Sequence, residues 1–396
     1  MSNQVIDFVN PTNLIWCRKK AGLDIPAVYK KTGWTAGTKK VESWEAKEDF
    51  PTISELKKLG KVYKKAWTLF LLEEDISKLG FMVMKDYRGD IKTADERERY
   101  ELISFANELE FRQNFMLEFS SELDIQQNRL FGSLVDAKDP RRVAELIVSQ
   151  FGINRKDFIE KGTRRDALNY LQEKLGEHNV LVSFSSIHHK KQISVDTMRG
   201  ILLRSNRVPI IGINSSEKSV GAQIFSIFHE LTHLLTESIS ETKIFVDKIS
   251  FRRTDTKSPK EKFCDQVAAL ILVPDSELEE LKRQTITANI VESYCIRLKV
   301  NVETFLYRAL DHNLLDKNDV DRLIKQCKPK DVDYIPTSDK KEKKGGPDGG
   351  LLHLNKNGKS FVKLVNSLYS EGSISYTQAL GVLDVKSSTF NKYVSK

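Results

Sequence analysis

The stretch "FHELTHLL", residues 228–235, sets His229 and His233 four positions apart with Glu230 directly after the first. The chain holds seven histidines in 396 residues, so composition alone seldom produces this spacing. Residues four apart project from one side of a helix. Ile224, Phe228, Leu231 and Leu235, with Ile227 between them, form an apolar stripe at helical spacing. At about 3.6 residues per turn, His229 and His233 point away from that stripe, and Glu230 lies at the edge of the same polar side. The pattern predicts a helix that packs by one face and presents two imidazoles and a carboxylate on the other. Zinc-dependent hydrolysis uses this arrangement. Two neutral imidazoles bind the ion, and the neighbouring carboxylate, which does not, works on the water in the open position.

Such a site needs a third protein ligand and one open position. The segment "SPKEKFCDQVAALILVP", residues 258–274, reads as a second helix, capped by Ser258, with Pro259 in its first turn and Pro274 closing it. Phe263, Val267, Leu270 and Ile271 make its apolar stripe, with Cys264 near the border as a packing residue. Glu261 and Asp265 fall on the opposite side. Glu261 can then be the third ligand, while Asp265 accepts a hydrogen bond from a ligand histidine and fixes its tautomer. The residues equally allow a capping box, Ser258-x-x-Glu261, in which the glutamate only satisfies a backbone amide.

The pair "AQIFSIFHELTHLL" and "EKFCDQVAALILVP" resembles the ImmA/IrrE family of bacterial and phage metallopeptidases, in which an HExxH helix is followed by a helix carrying E-x-x-C/A-N/D-x-x-A-A-x-x-L-x-P. The resemblance implies that Glu261 is the third zinc ligand, as in gluzincins, and that Asp265 supports a ligand histidine. "VDTMRGILLRSNRVPIIGIN", residues 195–214, looks like the strand region before the family's active helix, and residues 289–315 resemble its later helical pair, a substrate-binding element. The likeness extends over roughly residues 85–396 and is specific over 195–274. Thr232 departs from it, standing where many members have glycine or alanine. The implied cofactor is one Zn2+ per chain on His229, His233 and Glu261, with Glu230 as general base. His188, His189 and Arg199 are candidate oxyanion stabilisers by proximity in sequence only.

No run of eighteen apolar residues occurs, so no membrane span is expected. The start "MSNQVIDFVNPTN" lacks a basic opening and an apolar core, and four scattered cysteines without a CxxC fit reduced thiols. Both point to the cytoplasm. Residues 1–75 carry 13 basic and 10 acidic side chains, and residues 328–396 carry 12 and 7, which accounts for the whole net charge of +8. Basic excess at the two ends is weak evidence for terminal modules that touch nucleic acid, and a solvated lysine-rich surface explains it equally.

The N-terminal segment reads as a helix, a turn at Gly22, a helix capped by Asp24 and stopped at Gly33, a short helix through "TKKVESWE", and a fourth opening at the capping box Thr52-x-x-Glu55. This order, with its "WE" and "PT-x-x-x-L" signposts, resembles the Cro/C1 helix-turn-helix domain. The turn at Thr35–Lys40 departs from the usual pattern. The resemblance makes Thr38, Lys39 and Lys40 candidate DNA contacts, and a domain that binds protein instead fits equally well.

The expected fold is α+β and mostly helical: a gluzincin-like HExxH metallopeptidase domain with a small sheet, preceded by an all-α helix-turn-helix-like domain. Its parts are residues 1–78 (helix-turn-helix-like), 79–175 (helical connection), 176–276 (peptidase core), 277–330 (helical substrate-binding region), 331–355 (flexible linker, from the lysine- and glycine-rich "SDKKEKKGGPDGG") and 356–396 (small helical module). In the resembled family, members cleave a helix-turn-helix repressor and so release genes in mobile elements or stress responses. The implied partner is such a repressor as substrate, with DNA a second partner through the N-terminal domain. Two rivals stand beside it: a DNA-binding regulator or antitoxin-like protein whose peptidase fold is a sensor or scaffold, and a structural zinc site. Against the second, no fourth ligand is evident, since His312 and His353 lie far along the chain and read as surface residues.

Overall fold

Four short runs, Leu181–Phe184 (β1), Gly200–Leu203 (β2), Ile210–Ile213 (β3) and Ile244–Asp247 (β4), form one sheet in the order β1-β3-β2-β4. β1 and β3 run parallel, with Leu181 opposite Ile210, and β2 is antiparallel to both β3 and β4. Every residue of β1, β2 and β3 is buried, which is why they read as continuous apolar runs rather than alternating ones. This computed structural model describes residues 5–65, 67–71, 75, 96–186, 192–238, 244–247, 258–327 and 349–394. The architecture is α+β, mostly helical with this one small sheet.

The chain divides into two compact units, Met1–Glu108 and Leu109–Lys396. In the first, helices α1 (Pro11–Lys20), α2 (Ile25–Thr32), α3 (Lys40–Ala46) and α4 (Ile53–Tyr63) surround Leu14, Val28, Trp44, Leu56 and Tyr63. Each boundary has a local cause. Asn10 and Asp24 cap α1 and α2, Gly33 ends α2 in the left-handed region, and Thr52 and Glu55 form a complete capping box on α4. A short 3-10 turn at Ala36–Thr38 joins α2 to α3. The unit runs beyond residue 78, because Tyr100 joins its core and Asn107 donates to the Lys20 carbonyl. Both belong to α5 (Glu96–Glu118), in which the division falls.

The second unit continues with α6 (Pro140–Gln150), α7 (Arg155–Ile159) and α8 (Arg164–Gly176), then the sheet, interrupted by α9 (Val220–Thr236). After it come α10 (Pro259–Leu272), α11 (Asp275–Glu279), α12 (Ala288–Leu298), α13 (Val302–Asp311) and α14 (Lys317–Gln326). Last are α15 (Gly349–Lys356), α16 (Lys359–Ser370), α17 (Tyr376–Leu383) and α18 (Ser387–Tyr393). α9 lies against β2 and β3 on one side and α10 on the other, with α6 behind α10. Helix therefore already occupies residues 349–355, within the span expected as linker; residues 328–348 lie outside the described ones.

The C-terminal helices are fastened to the sheet at one corner. Asn357 accepts from Arg112 Nε at 3.1 Å, donates to the Leu383 carbonyl at 2.8 Å, and its own carbonyl accepts from Ser183 Oγ at 3.2 Å. Gly358 next to it has φ +80°, and a Cβ there would lie 1.8 Å from the Val182 carbonyl oxygen, so only glycine lets the chain press this close to β1. Asp275, at the start of α11, accepts from Arg308 and His312 through Oδ1 and from Arg141 through Oδ2, tying α6, α11 and α13 together. His312, expected at the surface, is half-buried in that junction.

Candidate metal centre

α9 begins at Ser219, whose hydroxyl accepts from Ala222 N, and runs for 17 residues. All of them are buried, including His229, Glu230 and His233, each with no exposed surface. The polar side is therefore not a solvent face: α10 covers it on one flank and β2 lies on the other. Burial makes partners obligatory for such groups, and acidic side chains stand against both histidines.

The two Nε2 atoms of His229 and His233 lie 3.1 Å apart. Glu261 brings Oε2 to 3.2 Å from His229 Nε2 and Oε1 to 3.4 Å from His233 Nε2. Ser258 Oγ accepts from the Glu261 amide at 3.2 Å, so the backbone half of the capping box forms, while the carboxylate turns to the histidines. Among the described residues, this trio is a group of ligand atoms that all lie within 4.8 Å of one another. Burial pushes the Glu261 carboxyl up, but the His229 and His233 rings beside it outweigh this and hold the group well below the usual carboxylate range. On the far side of the first ring, Asp265 Oδ1 is 3.0 Å from His229 Nδ1. α10 delivers both acids because they are four apart on one face, while Cys264, Val267, Ala268, Ile271 and Leu272 face the core. Cys264, expected at the border of the apolar stripe, is fully buried, while Phe263 and Leu270 are only partly so.

The donor set fits a small tetrahedral cation. Ligand distances of about 2.0–2.1 Å around a tetrahedral ion put neighbouring ligand atoms roughly 3.3 Å apart. The spacings of 3.1, 3.2 and 3.4 Å match that edge, the last two through different oxygens of Glu261.

Glu230 points to the sheet rather than to the trio's partners on α10. A Cβ at Gly200, the first residue of β2, would fall 2.1 Å from Glu230 Oε1, 2.9 Å from its Cδ and 3.0 Å from its Cγ. The glycine is the space in which this carboxylate lies.

Several residues of the site escape a reading of motifs. Glu237 Oε1 is 2.9 Å from His233 Nδ1, Lys260 Nζ is 2.6 Å from the same oxygen, and Arg204 pairs with Oε2. Arg204 also donates to the Ser238 carbonyl at 3.0 Å, and its side chain is 1% exposed. Glu237 continues the four-residue spacing of His229 and His233, a signal available in the sequence. Gly200 and Arg204, which bracket the apolar "ILL" of β2, carry none.

Arg199 forms an ion pair with Glu217. His188 and His189 lie outside the described residues. In the first unit, Thr38 Oγ1 donates to the Thr35 carbonyl, Lys40 Nζ is 2.6 Å from Glu55 Oε1, and Lys39 is exposed with φ +48°. None of the helices among the described residues is long and apolar enough to cross a membrane.

No curated protein matches the chain at a significant level. Residues 175–309, about a third of the chain, which run from the end of α8 through the sheet, α9 and α10 into α13, match the sequence model of the IrrE N-terminal-like domain of the Peptidase_M78 family, and are in that sense similar to a metallopeptidase domain of the ImmA/IrrE type.

Proposed function

We propose that the protein is a zinc-dependent endopeptidase that hydrolyses a peptide bond in a partner protein, a helix-turn-helix transcriptional repressor, and so relieves repression. The observation that carries the metal reading is the ligand triangle, whose edges of 3.1, 3.2 and 3.4 Å suit one tetrahedral zinc on His229, His233 and Glu261. Bound there, the ion would supply a Lewis acid for the scissile carbonyl and lower the pKa of a water to about 7. The chain's own groups do the rest. Glu230, buried on the same helix as the two histidines, takes the proton from the attacking water and returns it to the amide nitrogen as the C–N bond breaks. Asp265 Oδ1, 3.0 Å from His229 Nδ1, is placed to accept the N–H of that nitrogen and leave Nε2 for the ion. Arg199 as an oxyanion stabiliser would first have to leave Glu217.

The first unit supports the choice of substrate, because its helix order resembles that of the repressors the resembled family cleaves. Of its candidate DNA contacts, Lys40 is held by Glu55 and Thr38 by the backbone of its own turn, while Phe8 is 63% exposed. Those facts favour a surface that docks a protein, with Lys39 the remaining candidate for DNA. Direct DNA binding by this unit, with the peptidase fold as sensor, is the rival reading.

The experiment is metal content by mass spectrometry on the purified chain beside His233→Ala and Glu261→Ala, followed by repressor levels in cells carrying Glu230→Gln. One zinc in the wild type, its loss in both ligand variants, and a repressor that accumulates in the Glu230→Gln cells are the expected results. A metal-free wild type sinks the zinc reading. A repressor level and target transcription unmoved by Glu230→Gln sink the proteolytic one.

A further inference from the structure

The least expected group at the centre is Glu237. It stands at the C-terminal cap of α9, its amide bonded to the His233 carbonyl at 3.1 Å. A helix C-terminus disfavours an anion, and burial disfavours it further, yet Glu237 is 3% exposed. Its two oxygens do different work. Oε2 pairs with Arg204, buried at the end of β2, while Oε1 meets both Lys260 Nζ, at 2.6 Å, and His233 Nδ1, at 2.9 Å. Two cations on one carboxylate keep it an acceptor, so the proton between it and the imidazole belongs to Nδ1. Nε2 of His233 is then the bare nitrogen, and it is the one that faces His229 and Glu261.

We propose that Glu237, clamped by Arg204 from the sheet and Lys260 from α10, is a positioning residue that fixes the tautomer and ring orientation of His233 and thereby sets the metal affinity of the site. The proposal rests on the metal reading above. It extends the support of the ligands beyond Asp265, whose carboxylate lies 3.0 Å from His229 Nδ1 on the other helix. Lys260 adjoins Glu261 in sequence, so one carboxylate links a ligand on α9, the strand β2 and the turn of α10 that carries the third ligand.

The discriminating variant is Glu237→Gln, which keeps size and shape. Arg204 and Lys260 would draw the amide oxygen to themselves and turn the NH2 group toward His233 Nδ1. That favours the tautomer protonated on Nε2, the atom the ion needs. The experiment reads the His233 ring by nitrogen-15 NMR in metal-free protein, assigned against His233→Ala, and zinc affinity by competition with a fluorescent chelator. The expected result is an Nδ1–H ring in the wild type, a shift toward Nε2–H in Glu237→Gln, and zinc binding about 10- to 100-fold weaker. Lys260→Ala, whose side chain is half exposed and whose removal leaves Arg204 in place, should weaken it by a smaller factor.

A Glu237→Gln protein with the wild-type ring signal and zinc affinity within about twofold of wild type overturns the proposal. If that variant fails to fold, Lys260→Ala decides instead: affinity unchanged beside an unchanged ring signal also overturns it. Should the wild type bind no zinc, the metal reading fails on its own. The ring signal of metal-free Glu237→Gln then still decides the positioning role.

Discussion

Each unit of the molecule contains an arginine–glutamate pair, partly buried in the first and buried in the second, and the two are built differently. In the first unit, Arg18 on α1 grips Glu45 on α3 with Nε to Oε1 at 2.6 Å and Nη2 to Oε2 at 2.7 Å, and its remaining nitrogen donates to the Leu23 carbonyl at 3.1 Å. Both carboxylate oxygens are spent on one guanidinium, the bidentate geometry arginine favours. In the second unit, Arg204 takes one oxygen of Glu237 and leaves the other to Lys260 and His233. The same residue types therefore fasten two helices in one region and aim a histidine in the other. What separates a structural pair from a chemical one is the second oxygen. That difference gives an order of expected effects.

The largest concerns the strand that serves the site. Gly200→Ala puts a methyl where Glu230 lies, 2.1 Å from Oε1. The carboxylate is flexible at its far end but closed in by its surroundings, so it moves rather than the strand. A displacement of about 1 Å in a reacting group costs roughly 100-fold in rate, and the accompanying overpacking costs about 1–3 kcal/mol of stability. On the proposed endopeptidase reading, turnover of the substrate protein should drop on that scale while zinc content stays at the wild-type level. Equal loss of zinc and activity would show that Gly200 shapes the ligand set instead.

The next effect falls on the first unit. Glu45→Ala leaves the mostly buried Arg18 without its carboxylate, which should cost about 3 kcal/mol at most, the low end of the range for a broken buried pair, because both side chains keep roughly a tenth of their surface exposed. Denaturant unfolding of the full chain should show an early loss of the first unit, with zinc content of the second unchanged. A Glu45→Ala variant that lost metal would mean this pair, too, reaches the chemistry.

How much of this was legible in sequence depends on the distance along the chain. His229, Glu230 and His233 declare themselves because they are within one helical turn, and Glu261 with Asp265 repeat the same four-residue spacing. The caps Asp24, Gly33 and Thr52 are equally local and stand where the sequence put them. Glu261 was ambiguous from its own helix, since Ser258 offered it a second use. Only the approach of α9 resolves which one the side chain takes. Arg204 and Gly200 were unreadable for a related reason: their partners sit about thirty residues away, and nothing in "GILLR" says which helix will cross it. β4 was missed as well, because its run Ile244–Asp247 pairs with β2 across the whole of α9.

A third, smaller effect separates the two regions by pH. Burial raises the Asp275 carboxyl, but His312 and Arg308 bonded to it outweigh this and bring it down to about 2. A folded-state value below the usual carboxylate value of about 4 contributes stability above that value, and the contribution fades as pH falls toward 2. Asp275→Asn should therefore destabilise the second unit at pH 6 and differ little from wild type near pH 2. A gap between the two melting curves that persists unchanged at low pH would mean that Asp275 acts through the shape of the junction, not through its charge.

The smallest expected effect is the most legible feature. Thr52 and Glu55 form both halves of their box: the Thr52 hydroxyl accepts from the Glu55 amide at 3.3 Å, and Glu55 Oε2 accepts from the Thr52 amide at 2.9 Å. Thr52→Ala removes the hydroxyl's two bonds to Glu55, one from its amide and one to its Oε2, at a half-buried helix end where water can replace them, so the cost should be about 1 kcal/mol. Glu55 also holds Lys40, one turn before the core tryptophan of α3. If Thr52→Ala cost as much as Glu45→Ala, the cap would be acting through that lysine on α3, and the unit's local signals would carry more than local energy. With a cost of about 1 kcal/mol, the first unit is held by its crossing pair and merely trimmed by its caps. That is the arrangement the second unit shares, where the helix spacing places the ligands and the contact with a distant strand makes them usable.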